Sequence, residues 1–226
     1  MQRIAAENNL AETAFIVANE EGYGLRWFTP AIEVDLCGHA TLAAGYVVLN
    51  HLRPELDSVS FESMSGELIV TRDSERLAMD FPARAPTPAS VNEAITSALG
   101  VAPIEVHQSR DTLVLYDDEA TVRGLSPDQA KLLALDEGLG VIATARGDTV
   151  DFVSRFFVPK AGIAEDPVTG SAHCTLVPFW AERLGRTTLV AHQVSPRGGE
   201  LHCEHRGERV IISGHCTLFL TGNIHL

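Results

Sequence analysis

Two short stretches of this sequence set glycine and small polar residues just before what reads as a helix. They are Cys37-Gly38-His39-Ala40-Thr41 and Glu165-Asp166-Pro167-Val168-Thr169-Gly170-Ser171-Ala172-His173. The first turn of a helix has N–H groups with no partner inside the helix and a partial positive charge, a combination suited to a carboxylate or an enolate oxygen. Glycine at such a start removes the Cβ that would keep a ligand at a distance. One loop of this kind is more simply a capped helix, with Thr169 or Ser171 covering its own first turn. Two related loops in one chain favour a site.

A third candidate is Glu12, within Leu10-Ala11-Glu12-Thr13-Ala14-Phe15. A carboxylate beside an apolar strand is costly unless paired or protonated, and such a group suits general acid/base work. By itself Glu12 reads more simply as an exposed residue on an edge strand. The His/Cys clusters His173-Cys174, His202-Cys203-His205 and His215-Cys216 invite a zinc reading. Their spacings fit no zinc pattern and neighbouring strand residues point to opposite faces, so no metal is expected. Gly22-Tyr23-Gly24 is a turn without the residues of a nucleotide loop. Phe179 and Trp180 read as core.

These residues need elements to hold them. Residues 1–10 read as the tail of a helix with Asn8-Asn9 at its C-cap. Glu12 to Val17 and Leu25 to Phe28 read as strands, and Ile32 to Leu36 as a short alternating stretch. A small-residue helix follows Cys37-Gly38-His39. Val59 to Phe61, Glu67 to Arg72 and Arg76 to Phe81 are further strands. Residues 82–90, rich in Pro, Ala and Ser, are the best linker candidate. Beyond them come a helix over Val91 to Leu99 capped by Gly100, a strand over Leu113 to Tyr116 and a helix over Pro127 to Leu135. Strands over Val141 to Ala145 and Phe152 to Phe157 precede the loop Lys160 to Gly170 and a helix at about 171–184.

The order repeats. Gly66-Glu67-Leu68 recurs as Gly199-Glu200-Leu201 and Glu75-Arg76 as Glu208-Arg209, both at an offset of 133. The same offset carries Gly38 onto Ser171. Two similar halves facing each other would form a cleft with two helix N-termini pointing in.

The chain has 226 residues, 45% hydrophobic and 21% charged, with a net charge of -13. That field disfavours nucleic acid and anionic membrane surfaces as partners. It leaves open a small ligand held by a local site. Cys37, Cys174, Cys203 and Cys216 form no CxxC pair, no signal peptide opens the sequence, and no apolar run reaches the length of a membrane span. Free thiols and a cytoplasmic location are expected.

The strings NLAETAFI, RWFTPAIEVDLCGHATLAAGYVVL, AEDPVTGSAHCTL and SPRGGEL, in this order from residue 2 to near the C-terminus, resemble the PhzF-like isomerase family. The resemblance implies a diaminopimelate epimerase-like α+β fold of two pseudo-symmetric half-domains, each a curved, mostly antiparallel sheet wrapped around a central helix. Residues 1–86 with about 217–226 would make the first half and 87–216 the second. It also implies roles. Glu12 matches the catalytic acid/base, His39 and Asp166 its polar partners across the cleft, and Gly38, Gly170 and Ser171 the loops that hold a substrate carboxylate. The chemistry would be cofactor-free proton transfer between carbons of a small metabolite, in a homodimer.

The sequence departs from the family pattern in three ways. Ala11 stands where the family often has Ser. Cys37 sits where related epimerases and racemases use a cysteine, but the second loop offers Asp166-Pro167 in place of the partner thiol. Family members usually begin with a strand and a Gly-Asn-Pro loop that this sequence lacks, which would expose a sheet edge and open one wall of the cleft. Two competing readings follow: a racemase or epimerase using Cys37, whose thiol would then have a depressed pKa, and a catalytically silent binding or assembly protein.

Overall fold

The computed structural model describes residues 1–20 and 22–224; Glu21 and the last two positions of the 217–226 segment lie outside them. The chain opens with α1 (Gln2–Asn8), ended by Asn9 in the left-handed conformation at φ 49°. Then come β1 (Thr13–Ala18), β2 (Tyr23–Phe28), β3 (Glu33–Val34), α2 (Gly38–Val47), β4 (Ser58–Ser63), β5 (Gly66–Asp73) and β6 (Arg76–Pro82). An inserted group follows: β7 (Thr87–Ala89), α3 (Glu93–Leu99), β8 (Glu105–Gln108), β9 (Thr112–Leu115), α4 (Glu119–Gly124) and α5 (Gln129–Leu133). The chain continues through β10 (Val141–Arg146), β11 (Phe152–Phe157), β12 (Glu165–Asp166), α6 (Gly170–Leu184), β13 (Thr188–Gln193), β14 (Gly199–Arg206) and β15 (Arg209–Gly214).

Strand pairing runs unbroken in the order β1-β2-β4-β5-β6-β15-β14-β13-β11-β10-β9-β8-β7, with β3 on β2 and β12 on β11. From the β6–β15 seam outward, the two directions match strand for strand. β5–β6 and β14–β15 are antiparallel hairpins, β2–β4 and β11–β13 are the parallel steps, and β1–β2 and β10–β11 are antiparallel again. This is the expected α+β fold of two pseudo-symmetric halves. Its register corrects one expectation. The halves correspond at 133 for β5/β14 and β6/β15 but at 132 for α2/α6, so Gly38 corresponds to Gly170 and not to Ser171. The offset drifts because connections differ in length: five residues join β13 to β14 where two join β4 to β5.

Each half wraps its sheet around one central helix. On α6 every residue from Ala172 to Ala181 is buried, which a helix reaches only when strands surround it. Trp180 stacks on Phe152 at 5.7 Å and donates its indole N–H to Thr144 at 3.0 Å, so Phe179 and Trp180 are core as read. One apolar cluster runs through both halves, from Leu25 and Phe61 to Leu176 and Ile212. A second lies under the inserted elements, around Leu99, Val106 and Val122. Residues 82–90 are not wholly a linker: β7 forms there because β8 offers it a partner, with Pro88 opposite His107. The four cysteines are free thiols. Among the described residues, no helix is long and apolar enough to cross a membrane.

Helix α2 lies tightly on its sheet at Gly45, where an added Cβ would stand 2.6, 2.7 and 2.9 Å from atoms of the fully buried Val70. Gly45→Ala gains about 1 kcal/mol of helix propensity. It must then force apart a seam whose overpacking costs about 1–3 kcal/mol or more. We expect a net loss of stability, read as a lower denaturant midpoint with unchanged slope. A raised midpoint would show that α2 and β5 can separate freely.

Candidate active site

Glu12 sits in the turn that leads into β1, and only 9% of its side chain is exposed. Its Oε2 lies 3.1 Å from Nε2 of His39, the second residue of α2. The two are near enough for an ion pair but are not aligned as a hydrogen bond, and Oε2 has no other partner. Cys37, at the N-cap of α2, places its Sγ 3.7 and 3.9 Å from the two ring nitrogens of His39. Burial opposes a charge on His39. The neighbouring Cys37, Glu12 and Asp166 outweigh it and hold the imidazole well above its ordinary pKa. Burial pushes the Cys37 thiol up, which is opposite to the depressed value a thiol mechanism requires.

Asp166 enters from the second half, on β12, and is buried. Thr169 donates its hydroxyl to Asp166 Oδ2 at 2.6 Å, while Oδ1 is buried without a partner. Burial, joined by the charge of Glu12, raises the Asp166 carboxyl to about 6, even after the attraction of His39. Gln193, the last residue of β13, holds this loop in shape. Its amide donates to the Asp166 carbonyl at 2.7 Å and to the Thr169 hydroxyl at 3.0 Å, and its carbonyl accepts from the Thr169 N–H at 2.7 Å. Sequence reasoning missed Gln193. A signal was present: the two-residue period of β13 turns Leu189, Ala191 and Gln193 inward together, so an amide lies among apolar neighbours.

The capping question is settled by contrast. Asn92, Asp118 and Asp128 each accept hydrogen bonds from the first-turn N–H groups of α3, α4 and α5. At α2 and α6 no side chain does so. Thr169 is turned to Asp166, and Thr41 donates back to the Cys37 carbonyl at 2.6 Å. The two central helices therefore keep their first-turn donors free of side-chain caps. They start back to back: a Cβ on Gly38 would lie 3.3 Å from the Cα of Gly170, and one on Gly170 would lie 3.4 Å from the Cα of Gly38.

The six residues singled out from the sequence gather around this contact but do not all face one space. Glu12, Asp166 and Ser171 line a cavity of about 340 Å³, with Arg110 and Asp35 at its wall. Gly38, His39 and Gly170 line a second cavity of about 300 Å³, beside Arg197 and Ser213. The Glu12–His39 pair links the two. The His/Cys clusters read from the sequence do not assemble. His173 is fully buried with Nδ1 2.7 Å from the Thr169 carbonyl, and His202 pairs with Glu200 at 2.8 Å.

Twin halves, each a sheet wrapped around a central helix, make an α+β fold that is also found in epimerases. A hydroxyproline epimerase from Agrobacterium vitis shares that fold, with a TM-score of 0.55 over 90% of this chain and 71% of its own at 8% identity. More specifically, the chain belongs to the phenazine biosynthesis-like (PhzC-PhzF) family, whose model matches residues 1–222. A Pseudomonas aeruginosa protein described as an uncharacterized isomerase is 51% identical over 226 residues, which are 100% of this chain and 87% of its own. The crystal structure of a PhzF-family protein from Enterococcus faecalis is 50% identical, with a TM-score of 0.96 over 100% of this chain and 86% of that one.

Holding Asp166 in this place has a measurable cost. Its carboxyl is raised from 3.8 to about 6, so the folded state binds the proton more tightly than the unfolded state does. Stability from this group is therefore lost as pH rises from about 4 to about 6, and the loss is constant above that. Asp166→Asn should raise stability at pH 8 by about 1–3 kcal/mol relative to the wild type, an advantage that shrinks toward zero below about pH 4. Denaturant midpoints across this range check it. An advantage that does not vary with pH would mean that the charge is not the cause.

Proposed function

We propose that this chain is an isomerase that moves a proton between carbons of a small carboxylate-bearing metabolite, without a cofactor, with Glu12 as the acid/base. The observation that carries the reading is the buried Glu12 carboxylate held 3.1 Å from His39 where two uncapped helices meet. Membership of a family with isomerase-described relatives supports it.

In this reading the substrate carboxylate lies on the first-turn N–H groups at Gly38, Gly170 and Ser171. Glu12 takes a proton from carbon, and the electron pair left behind is drawn onto an oxygen. The free N–H groups and the charged His39 stabilise that oxygen, since donors fixed in advance act strongly where water is excluded. A protonated carboxyl, Glu12 or Asp166, returns a proton to a different carbon. No electrons leave the substrate, so the balance closes as an isomerisation. A carboxyl near 6 is protonated in part at neutral pH, which suits Asp166 to hold or relay a proton. Cys37 is not assigned to the proton transfer, because its thiol is raised and no cysteine faces it from the α6 loop. We take residues 1–86 with about 217–226 as one half-domain and 87–216 as the other, with the protein working as a homodimer in the cytoplasm.

The test is solvent deuterium incorporation at carbon in a panel of small amino and hydroxy acids, with the wild type compared to Glu12→Gln. Incorporation should fall by about 10²–10⁴-fold in the variant. Incorporation that survives would remove Glu12 as the base.

A further inference from the structure

Proton transfer leaves Cys37 without a task, although its sulfur lies against the ring of His39. Among the described residues, Glu12, Cys37 and His39 are the only three His, Cys, Asp or Glu side chains close enough to share an ion, with one donor atom from each inside a span of 4.8 Å. We propose that these three side chains form a binding site for a thiophilic divalent cation, with zinc as the probe, and that an ion bound there blocks the enzyme by occupying Glu12.

Three observations converge on this. The donor set is one thiol, one imidazole and one carboxylate, the mixture that a borderline-soft ion prefers. The separations suit a tetrahedral ion: bond lengths of about 2.0–2.3 Å put neighbouring ligand atoms about 3.3–3.6 Å apart. Here His39 Nε2 is 3.1 Å from Glu12 Oε2 and 3.9 Å from Cys37 Sγ, and the three donors lie within 4.8 Å of one another, so the side chains would draw together by up to about an ångström around an ion. Finally, Glu12 Oε2 is buried, on a side chain more than nine-tenths covered, and makes no hydrogen bond, with only the unaligned His39 Nε2 beside it; buried polar atoms are rarely left so. Asp166 adds a second orphaned oxygen, Oδ1, and a charge felt at both Glu12 and His39.

The thiol must lose its proton to bind, and a coordinating ion removes it directly, passing it to solvent. The fourth position would face a cavity and hold water, the pattern of an accessible zinc site. The chain's net charge of -13 favours the approach of cations. Binding stands on geometry alone; only the inhibition rests on the role proposed for Glu12.

The full chain, stripped with a chelator, would be titrated with zinc chloride by calorimetry and with cobalt(II) by visible absorption. One ion per chain is expected, and the cobalt form should show tetrahedral bands with a thiolate-to-metal charge-transfer band. Cys37→Ser should weaken zinc at least about tenfold, as loss of a ligand does, and abolish the charge-transfer band. A His192→Ala/His202→Ala variant, which removes the exposed histidines around Glu200, should bind as the wild type does. Failure to bind below millimolar zinc, a cobalt spectrum without thiolate character, or loss of binding only in the surface variant would overturn the site. Zinc should inhibit deuterium incorporation with the midpoint of its binding and be reversed by chelator. Tight binding with unchanged incorporation would overturn the inhibitory role alone. Absence of incorporation with every compound would bear on the isomerase reading and leave the titrations to judge the site.

Discussion

Gly38 and Gly170 bring the starts of two helices into backbone contact, and much of the molecule follows from that approach. Each helix start has a partial positive charge, and two placed together repel unless negative charge lies near them. The chain supplies it with Glu12 from the first half and Asp166 from the second, and a bound carboxylate would supply more. A Cβ at Gly38 would need the facing backbone to give by a few tenths of an ångström, and one at Gly170 would just reach it. The close approach therefore joins two glycines, two helix starts without side-chain caps and two buried acids in one small region.

The acids are unfavourable where they sit, and the surrounding structure is organised to tolerate them. Asp166 is kept in place by the Thr169 hydroxyl and, behind it, by both ends of the Gln193 amide. Glu12 has only His39, and without good alignment. One carboxylate is thus firmly positioned and the other is left with bonding capacity to spare. Spare capacity in a buried group is poor for stability and useful for function, because a ligand can satisfy it.

The sequence showed the parts of this arrangement that depend on local chemistry. Glycine followed by small residues marked both central helices, Asn8-Asn9 marked the end of α1, and the recurring Gly-Glu-Leu tripeptide marked the twin hairpins. Long-range pairing hid the rest. β7 looked like linker because its partner lies elsewhere in the chain. α4 and β8, of six and four residues, are too short to show a period. The one-residue slip that matched Gly38 with Ser171 came from carrying a hairpin's offset across connections of unequal length. Glu12 was unremarkable by itself. It entered the site only through family resemblance, and its closeness to His39 depends on how β1 lies beside α2. Gln193 could have been found, since an amide in an inward register asks for a partner.

The twin halves match in backbone but not in chemistry. With α2 laid on α6, His39 falls on Ser171 and Cys37 on Thr169; with β3 laid on β12, Val34 falls on Asp166. Interconverting mirror-image molecules asks for proton-transferring groups on opposite faces of the reacting carbon. The corresponding positions carry unlike groups that open into different cavities, the His39 imidazole into one and the Ser171 hydroxyl into the other. The two halves thus share a backbone frame while presenting different side chains at corresponding positions.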